Sequence, residues 1–292
     1  MAYNFNVYYD NHTKLDDELR SNCALNHVQQ AYKLAYQLVD VTDSKIQNNK
    51  PLIVFAHGFR CSTKTPIIVA LGKWLARMTD SNVVLVDWSD WAMQMDYGNL
   101  VIQFPTVVPH LADWLNGLHD REIIKTFSDI ILIGHSLGAH LVGNAGHRLN
   151  GTVSRIIALD PAQPNFRIDH KNERVDVNSG RFVMVLHTST LLFGLREPVG
   201  HVDFYFNGAQ FQPTCAVDTT CGHLMSIIYM MDSLKNSTAF PASRCCTVDD
   251  CEKKIVDLEK PTVYMNMNTP ISTRGLYSIL PGRKNLTFYM RL

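Results

Sequence analysis

Residues 128–146 read SDIILIGHSLGAHLVGNAG, and this stretch constrains the fold more than any other part of the chain. It opens with an apolar run typical of a buried strand, and it closes with small residues spaced for a helix. Between them the letters GHSLG (134–138) require a sharp turn, in which side chains at the two glycines would collide with neighbouring backbone. A serine at the tip of such a turn presents its hydroxyl above a sheet edge. We therefore predict a strand, a sharp turn and a helix, with Ser136 as a candidate nucleophile.

The rest of the chain repeats this alternation of short buried strands and helices. Strands are predicted at 3–9, 51–56, 82–88, 129–134, 153–160 and 181–188. Helices are predicted at 24–38, 65–78, 97–118, 137–149 and near 223–235, and Pro105 and Pro109 would leave 97–118 as one or two interrupted helices. Beyond residue 188 the pattern loosens into a hairpin-like segment at 200–211 and a cysteine-rich loop. This order predicts an α/β protein with a mostly parallel central sheet and helices on both faces.

Composition excludes several classes of function. The chain has 292 residues and a formal net charge of zero, without a basic stripe, so nucleic acid is not an expected partner. No apolar run approaches the roughly 18 residues of a transmembrane span. We expect one domain over 1–292, and the first residues lack the pattern of a signal peptide.

Cysteines and glycosylation signals bear on the compartment. Five of the seven cysteines lie between Cys215 and Cys251, which suggests local disulfides and an oxidising environment. Four Asn-x-Thr triplets are compatible with secretion. We expect a secreted protein, with a cytoplasmic one as the alternative.

A serine nucleophile needs a base, and the base needs an acid to orient it. Asp160 ends the strand-like RIIALD and precedes Pro161, which makes it the candidate acid. In the chain order Ser, Asp, His the base lies beyond Asp160, where the candidates are His170, His187, His201 and His223. The apolar run around His187 is typical of a core histidine, and Asp203 would give His201 a structural partner. Position alone favours His223 only modestly.

An oxyanion formed by attack on an ester needs two backbone N–H donors. Leu137, the residue after the candidate nucleophile, would supply one of them. The FAHGF segment (55–59) would supply the other, because Gly58 permits a turn that lets Phe59 donate its N–H.

Seven blocks of sequence, in order along nearly the whole chain, resemble the pancreatic-lipase family. They are HGF (57–59), VDW (86–88), GHSLGAH (134–140), LDPAQP (159–164), LHT (186–188), GHVDFYFNG (200–208) and CGHLMS (221–226). The resemblance implies an α/β-hydrolase fold and hydrolysis of glycerolipid esters without a required cofactor. It implies Ser136 as nucleophile, Asp160 as acid and His223 as base, with Phe59 and Leu137 as oxyanion donors.

The chain also departs from the triglyceride lipases of that family. The cysteines that flank their long lid look like Cys215 and Cys221, with only five residues between them. The loop from Ser189 to Gly200 is short as well, and both short loops resemble the phospholipase A1 members. No C-terminal β-sandwich (PLAT-like) domain follows in this sequence, so colipase is not an expected partner.

Three further features are expected, the first of them from the resemblance. Of the family's calcium site, Arg174 and Asp176 look retained, but Ser179 stands where an acid is expected, so we expect no intact site. The apolar loop TLLFGL (190–195) makes Leu191, Leu192 and Phe193 candidates for lipid contact, and a loop packed on the core is an equal alternative. We expect disulfides Cys215–Cys221 and either Cys245 or Cys246 with Cys251, and elimination leaves Cys23 with Cys61.

Three functions follow from these residues. The first is a lipase-type serine carboxylic ester hydrolase acting on phospholipid (phospholipase A1) or triacylglycerol. The second is a soluble esterase for short acyl chains. The third is a non-catalytic lipid-binding or storage protein of lipase fold, against which the presence of all three triad residues argues.

Overall fold

The structure is a computed structural model that describes residues 4–8, 32–35, 46–47, 49–93, 96–257, 259 and 262–281. The strands are β1 (Asn4–Tyr8), β2 (Tyr32–Ala35), β3 (Leu52–Ala56), β4 (Asn82–Asp87), β5 (Ile130–His135), β6 (Arg155–Leu159), β7 (Val183–His187), β8 (Val202–Phe206), β9 (Pro241–Cys245), β10 (Val263–Tyr264) and β11 (Gly275–Ile279). The helices are α1 (Pro66–Met78), α2 (Ser89–Ala92), α3 (Tyr97–Asp120), α4 (Leu137–Arg148), α5 (Thr219–Lys235) and α6 (Val248–Lys253). Among the described residues, no helix is both long enough and apolar enough to span a membrane.

All the strands join one sheet in the order β10-β9-β11-β8-β7-β6-β5-β3-β4-β1-β2. The block from β8 to β4 is parallel throughout, and β11 joins it in parallel on β8. Antiparallel strands lie only towards the two ends, where β1 pairs with β4 and β9 with β11. The chain therefore has the mostly parallel sheet of an α/β-hydrolase fold, as predicted.

The core is divided by the sheet, because successive side chains of a strand point to opposite faces. In β3, Leu52 and Val54 pack with α3 and α4 residues such as Leu111 and Leu141. Ile53 and Phe55 pack on the other face with residues of α1 and α5. Burial on both faces explains why these strands read as continuous apolar runs.

Most predicted elements are confirmed, and four differ. The segment 24–38 contains strand β2 at Tyr32–Ala35 instead of helix, and its other residues lie outside the described ranges. The 97–118 region is one uninterrupted helix, α3. Pro105 and Pro109 lie one turn apart on the side of α3 that faces away from the core, and Pro105 is exposed. A proline has no backbone N–H to donate, so the two missing hydrogen bonds of the helix lie on that outer side.

The other two differences concern the second half of the chain. The segment 200–211 is not a hairpin, because β8 pairs in parallel with both neighbours and a left-handed turn over Asn207, Gly208 and Ala209 carries the chain away. Helix α5 begins at Thr219, four residues before the predicted start, because Asp218 caps it by accepting from the N–H of Cys221. His223 therefore lies inside a helix, not in the loop before it.

Candidate active site

The sharp turn after β5 holds Ser136 in a strained conformation, with φ 57° and ψ −123°. A Cβ on Gly134 would lie 2.3 Å from the carbonyl oxygen of Gly138, and a Cβ on Gly138 would lie 2.3 Å from that of Ala56. The Ser136 N–H donates to the Leu159 carbonyl of β6 over 3.0 Å. The predicted strand, turn and helix are thus confirmed, and only glycine fits at the two flanking positions.

Asp160 follows β6 and is fully buried. Its Oδ1 accepts hydrogen bonds from the N–H groups of Thr188 (2.7 Å) and Ser189 (3.2 Å). Its Oδ2 accepts from the Ser189 hydroxyl and from His223 Nδ1, the latter over 2.6 Å. Burial alone would raise the pKa of Asp160, but the hydrogen bonds from His223, Ser189 and Thr188 hold it below the usual value. The carboxylate is therefore ionised, and its acceptor positions are filled.

Of the four candidate histidines, His223 is the one that contacts Asp160 within the described residues. His187 is fully buried between the Leu195 carbonyl and Asp203 Oδ1, at 2.9 and 3.0 Å, as a core histidine. Asp203 thus pairs with His187 rather than with His201, whose Nδ1 accepts from the N–H of Val183. His170 is exposed and lies beside Glu173.

His135 lies directly against His223, and sequence reasoning did not single it out. The two ring centroids are 4.6 Å apart, and His135 Nε2–H donates to the His223 carbonyl over 3.2 Å. Burial lowers the pKa of His135 to about 3, so the ring is neutral at neutral pH. Its position between glycine and serine in the turn was the available signal.

The two predicted oxyanion donors flank Ser136. Leu137 opens α4, where helix N–H groups lack intrahelical acceptors. Phe59 follows Gly58, whose added Cβ would lie 2.8 Å from the Cβ of Ser136. Neither N–H donates a hydrogen bond to another described residue.

Residues at the end of β4 and just after it hold the loop that carries Phe59. Trp88 Nε1 donates to the His57 carbonyl over 2.9 Å, and Asp87 accepts from the hydroxyl of Thr63 over 2.9 Å. Burial would raise the pKa of Asp87, but the nearby His57 ring and hydrogen bonds from Ser89 and Thr63 hold it well below its usual value. The Phe59 ring packs edge to face on Tyr97 at 5.1 Å.

Apolar side chains are found in the turn after Ser189 and in the short loop before α5. Leu191 and Leu192 are 55% and 54% exposed, so neither packs in the core, while the half-buried Phe193 ring lies 5.5 Å from the His223 ring. Val217, in the loop between Cys215 and Cys221, is 82% exposed.

The described residues contain two disulfides, Cys215–Cys221 and Cys245–Cys251, and both agree with prediction. The thiols of Cys61 and Cys246 are free, and Cys23 lies outside the described residues. The first disulfide closes the short loop before α5. The second joins β9 to α6.

The residues of the expected calcium region do not fit a hard cation. The buried Arg174 guanidinium donates to the carbonyls of Arg167, Ile168 and Val175. The Asp176 carboxylate accepts from the N–H of Asn178 (2.7 Å) and lies 3.1 Å from His147 Nε2. These oxygens already accept hydrogen bonds, and among the described residues no cluster of three acidic, His or Cys side chains could hold a metal ion.

Known lipases and phospholipases are similar to this chain. Residues 19–255 match the Lipase family. Pancreatic lipase-related protein 2 of Cavia porcellus is 32% identical over 75% of this chain and 53% of its own length. Phospholipase A1 member A of Bos taurus is 32% identical over 88% of this chain and 58% of its own length. Phospholipase A1 of Vespula maculifrons is 32% identical over 68% of each chain.

The chain spans little more than half the length of the two mammalian relatives. Its match to the family nevertheless runs from before β2 to the end of α6 and includes Ser136, Asp160 and His223. This chain belongs to the lipase family.

Proposed function

We propose that this chain is a serine carboxylic ester hydrolase that releases fatty acid from glycerolipids. One observation carries the proposal: His223 Nδ1 lies 2.6 Å from the buried carboxylate of Asp160, at the same sheet edge as the strained Ser136. Paired residues His135 and Leu159 end neighbouring parallel strands, so Ser136 and Asp160 start from adjacent positions. Family membership supports the same chemistry.

The proposed reaction uses only side chains and backbone of this chain. The ester carbonyl oxygen would face the N–H groups of Phe59 and Leu137, which stabilise the oxyanion. Ser136 attacks the carbonyl carbon, and His223 takes the serine proton and passes it to the leaving alcohol. Water, activated by His223, then releases the fatty acid from the acyl-enzyme, while Asp160 holds the imidazole in the Nδ1–H tautomer.

We propose phospholipid as the preferred substrate, with cleavage at the sn-1 ester. Only five residues separate Cys215 from Cys221, too few for an amphipathic lid.

Arg60 is exposed next to Phe59, with its guanidinium carbon 5.3 Å from that ring, and it forms no ion pair with a described residue. Its backbone N–H is held by the Ala92 carbonyl at 2.6 Å. A cation beside the oxyanion donors suits a phosphate group. Two of the relatives are named phospholipase A1.

We also propose that the protein acts outside the cell and needs no metal. The two disulfides suit an oxidising compartment. Since the carbonyls and carboxylate near Asp176 are already engaged, treatment with EDTA should leave ester hydrolysis unchanged. A loss of activity that calcium restores would contradict this proposal.

Labelling with a fluorophosphonate tests the enzyme class directly. We expect the probe to attach to Ser136, located by peptide mass spectrometry, and the Ser136→Ala variant to lose both labelling and hydrolysis of p-nitrophenyl butyrate. Ser233→Ala is the matched control, because Ser233 is a buried serine of α5 whose hydroxyl bonds the Met230 carbonyl. Wild-type protein that neither labels nor hydrolyses esters would favour the lipid-binding alternative.

A further inference from the structure

Ser189 touches two members of the proposed triad at once, and sequence reasoning did not assign it a role. Its Oγ donates to Asp160 Oδ2, and the same oxygen lies 3.1 Å from His223 Nδ1. Ser189 is 1% exposed and lies on the side of the imidazole ring that faces Asp160. It therefore contacts the acid and the base without being placed to contact substrate.

Proton positions follow from the chemistry of the three groups. An ionised carboxylate only accepts hydrogen bonds, so the proton between His223 and Asp160 resides on Nδ1, and the Ser189 proton points to Oδ2. The Ser189 oxygen then keeps its lone pairs free to accept from the same Nδ1–H. The imidazole N–H thus has two acceptors, Asp160 Oδ2 at 2.6 Å and Ser189 Oγ at 3.1 Å. Two acceptors on different elements limit rotation of the ring more than one does.

The backbone of Ser189 is itself held in place. Its N–H donates to Asp160 Oδ1, and its carbonyl accepts from the N–H groups of Leu192, Phe193 and Gly194 at 3.0–3.3 Å. This tight turn presses Gly194 onto Asp160, where an added Cβ would lie 2.5 Å from Oδ1. The hydroxyl is therefore presented from a rigid support.

We propose that Ser189 is a positioning residue, which fixes the His223 ring and the Nδ1–H tautomer for proton transfer. This inference rests on the proposed ester hydrolase function. It goes beyond the Ser136, Asp160 and His223 triad by adding a hydroxyl between the acid and the base.

Steady-state kinetics of Ser189→Ala on p-nitrophenyl butyrate form the first test. We expect kcat to fall about 10- to 100-fold, the usual cost of losing a hydrogen bond to a charged group, with KM nearly unchanged. Ser189→Thr keeps the hydroxyl that donates to Asp160 and should recover most of kcat. Ser233→Ala should behave as wild type. Unchanged kcat in Ser189→Ala would overturn the proposal.

The proton NMR resonance of the His223 Nδ1–H supplies a readout that does not require activity. It is identified by its disappearance in His223→Gln. We expect a sharp downfield signal in wild type and in Ser189→Thr, and a broadened or absent one in Ser189→Ala, with near-UV circular dichroism showing that the fold is intact. An unchanged signal in Ser189→Ala would refute the positioning role. If wild type hydrolyses no ester, the proposed function fails, and this signal still decides the role of Ser189.

Discussion

The carboxylate of Asp160 packs against Gly194, where any side chain would collide with it. Gly194 lies so close that its Cβ would sit 2.5 Å from Asp160 Oδ1 and 2.8 Å from Cγ. Both atoms belong to a fully buried group with four hydrogen-bond donors, so the carboxylate has nowhere to move. The position of the acid is thus set by its packing as well as by its hydrogen bonds.

Gly194→Ala should therefore damage activity. Displacing a catalytic group by around 1 Å costs on the order of 100-fold in rate, so we expect kcat to fall by about that factor. Gly222→Ala is the matched control, because its Cβ would meet nothing nearer than 3.7 Å and helix α5 would gain an alanine. Steady-state assays of both variants check this. Equal activity in the two would show that Asp160 is not confined as described.

Arg60 allows a prediction on substrate choice. If its guanidinium binds a lipid phosphate, Arg60→Ala should lower phosphatidylcholine hydrolysis by about 10-fold, the value of one charge-assisted hydrogen bond. Hydrolysis of uncharged p-nitrophenyl butyrate should stay near the wild-type rate, because that ester has no phosphate. Arg148→Ala, at the far end of α4, is the control for loss of one positive charge. An equal fall on both substrates would refute a phosphate contact.

At the residue scale the sequence predicted the features that are local. The strand, glycine spacing and helix around Ser136 follow from neighbouring residues, as does Asp160 at the end of a strand. The choice of His223 among the candidate histidines needed the family resemblance, because its partner Asp160 is 63 positions away in the chain. Ser189 and His135 contact His223 only because the carboxyl ends of β7 and β5 meet the first turns of α5. No local sequence pattern reveals such contacts.

At the element scale, helix α5 and the loop before it determine where His223 sits. The Cys215–Cys221 bridge closes this loop, and Asp218 caps the helix from within it. The Cys245–Cys251 bridge closes a loop of the same sequence separation, 6, but it lies next to α6. The two bridges therefore differ in position while matching in loop length.

Removing each bridge by paired Cys→Ser substitutions separates stability from positioning. Closing so short a loop stabilises a fold by about 2 kcal/mol, so both double variants should unfold at lower urea concentrations by similar amounts. Only the Cys215/Cys221 variant should lose kcat as well, because it loosens the first turn of α5. Urea titration and ester assays together check this, and an equal loss of kcat in both variants would contradict it.

Strands were predictable from sequence where both faces of the strand are buried. Strands β3 to β7 are nearly continuous apolar runs, and each was predicted within a few residues. Strand β9 carries the polar sequence PASRC with mixed burial, and β10 has two residues, so neither gives a periodic signal. Strand β9 forms because β11 offers an edge to pair with, and β10 pairs in turn with β9. Such tertiary pairing overrides local propensity.

On the scale of the whole molecule, buried neutral histidines link stability to pH. Burial lowers the pKa of His135 and of His140 to about 3. His140 Nε2–H donates to the Ala162 carbonyl over 2.7 Å, and the ring stacks on Phe166. In the unfolded chain both would protonate near pH ~6.5. Between these values the unfolded state binds more protons, so stability falls as pH falls.

Urea unfolding between pH 7 and pH 4 checks this linkage. Each of these two histidines should contribute a loss of up to about 1.4 kcal/mol per pH unit below pH ~6.5. His140→Asn removes one of them and should flatten the slope, whatever its effect on stability at pH 7. A stability that does not change from pH 6.5 to pH 4.5, or an equal slope in the variant, would contradict the assignment.

A paired lipid assay asks whether Ser136 cleaves glycerolipid esters. Wild type and Ser136→Ala would each receive phosphatidylcholine labelled only at sn-1 and, separately, a long-chain triacylglycerol emulsion. We expect wild type to release the sn-1 fatty acid faster than it releases fatty acid from triacylglycerol, and Ser136→Ala to release none. Faster release from triacylglycerol would refute the phospholipid preference alone. Equal release by both proteins, or none by wild type on either lipid, would show that Ser136 does not cleave glycerolipid esters.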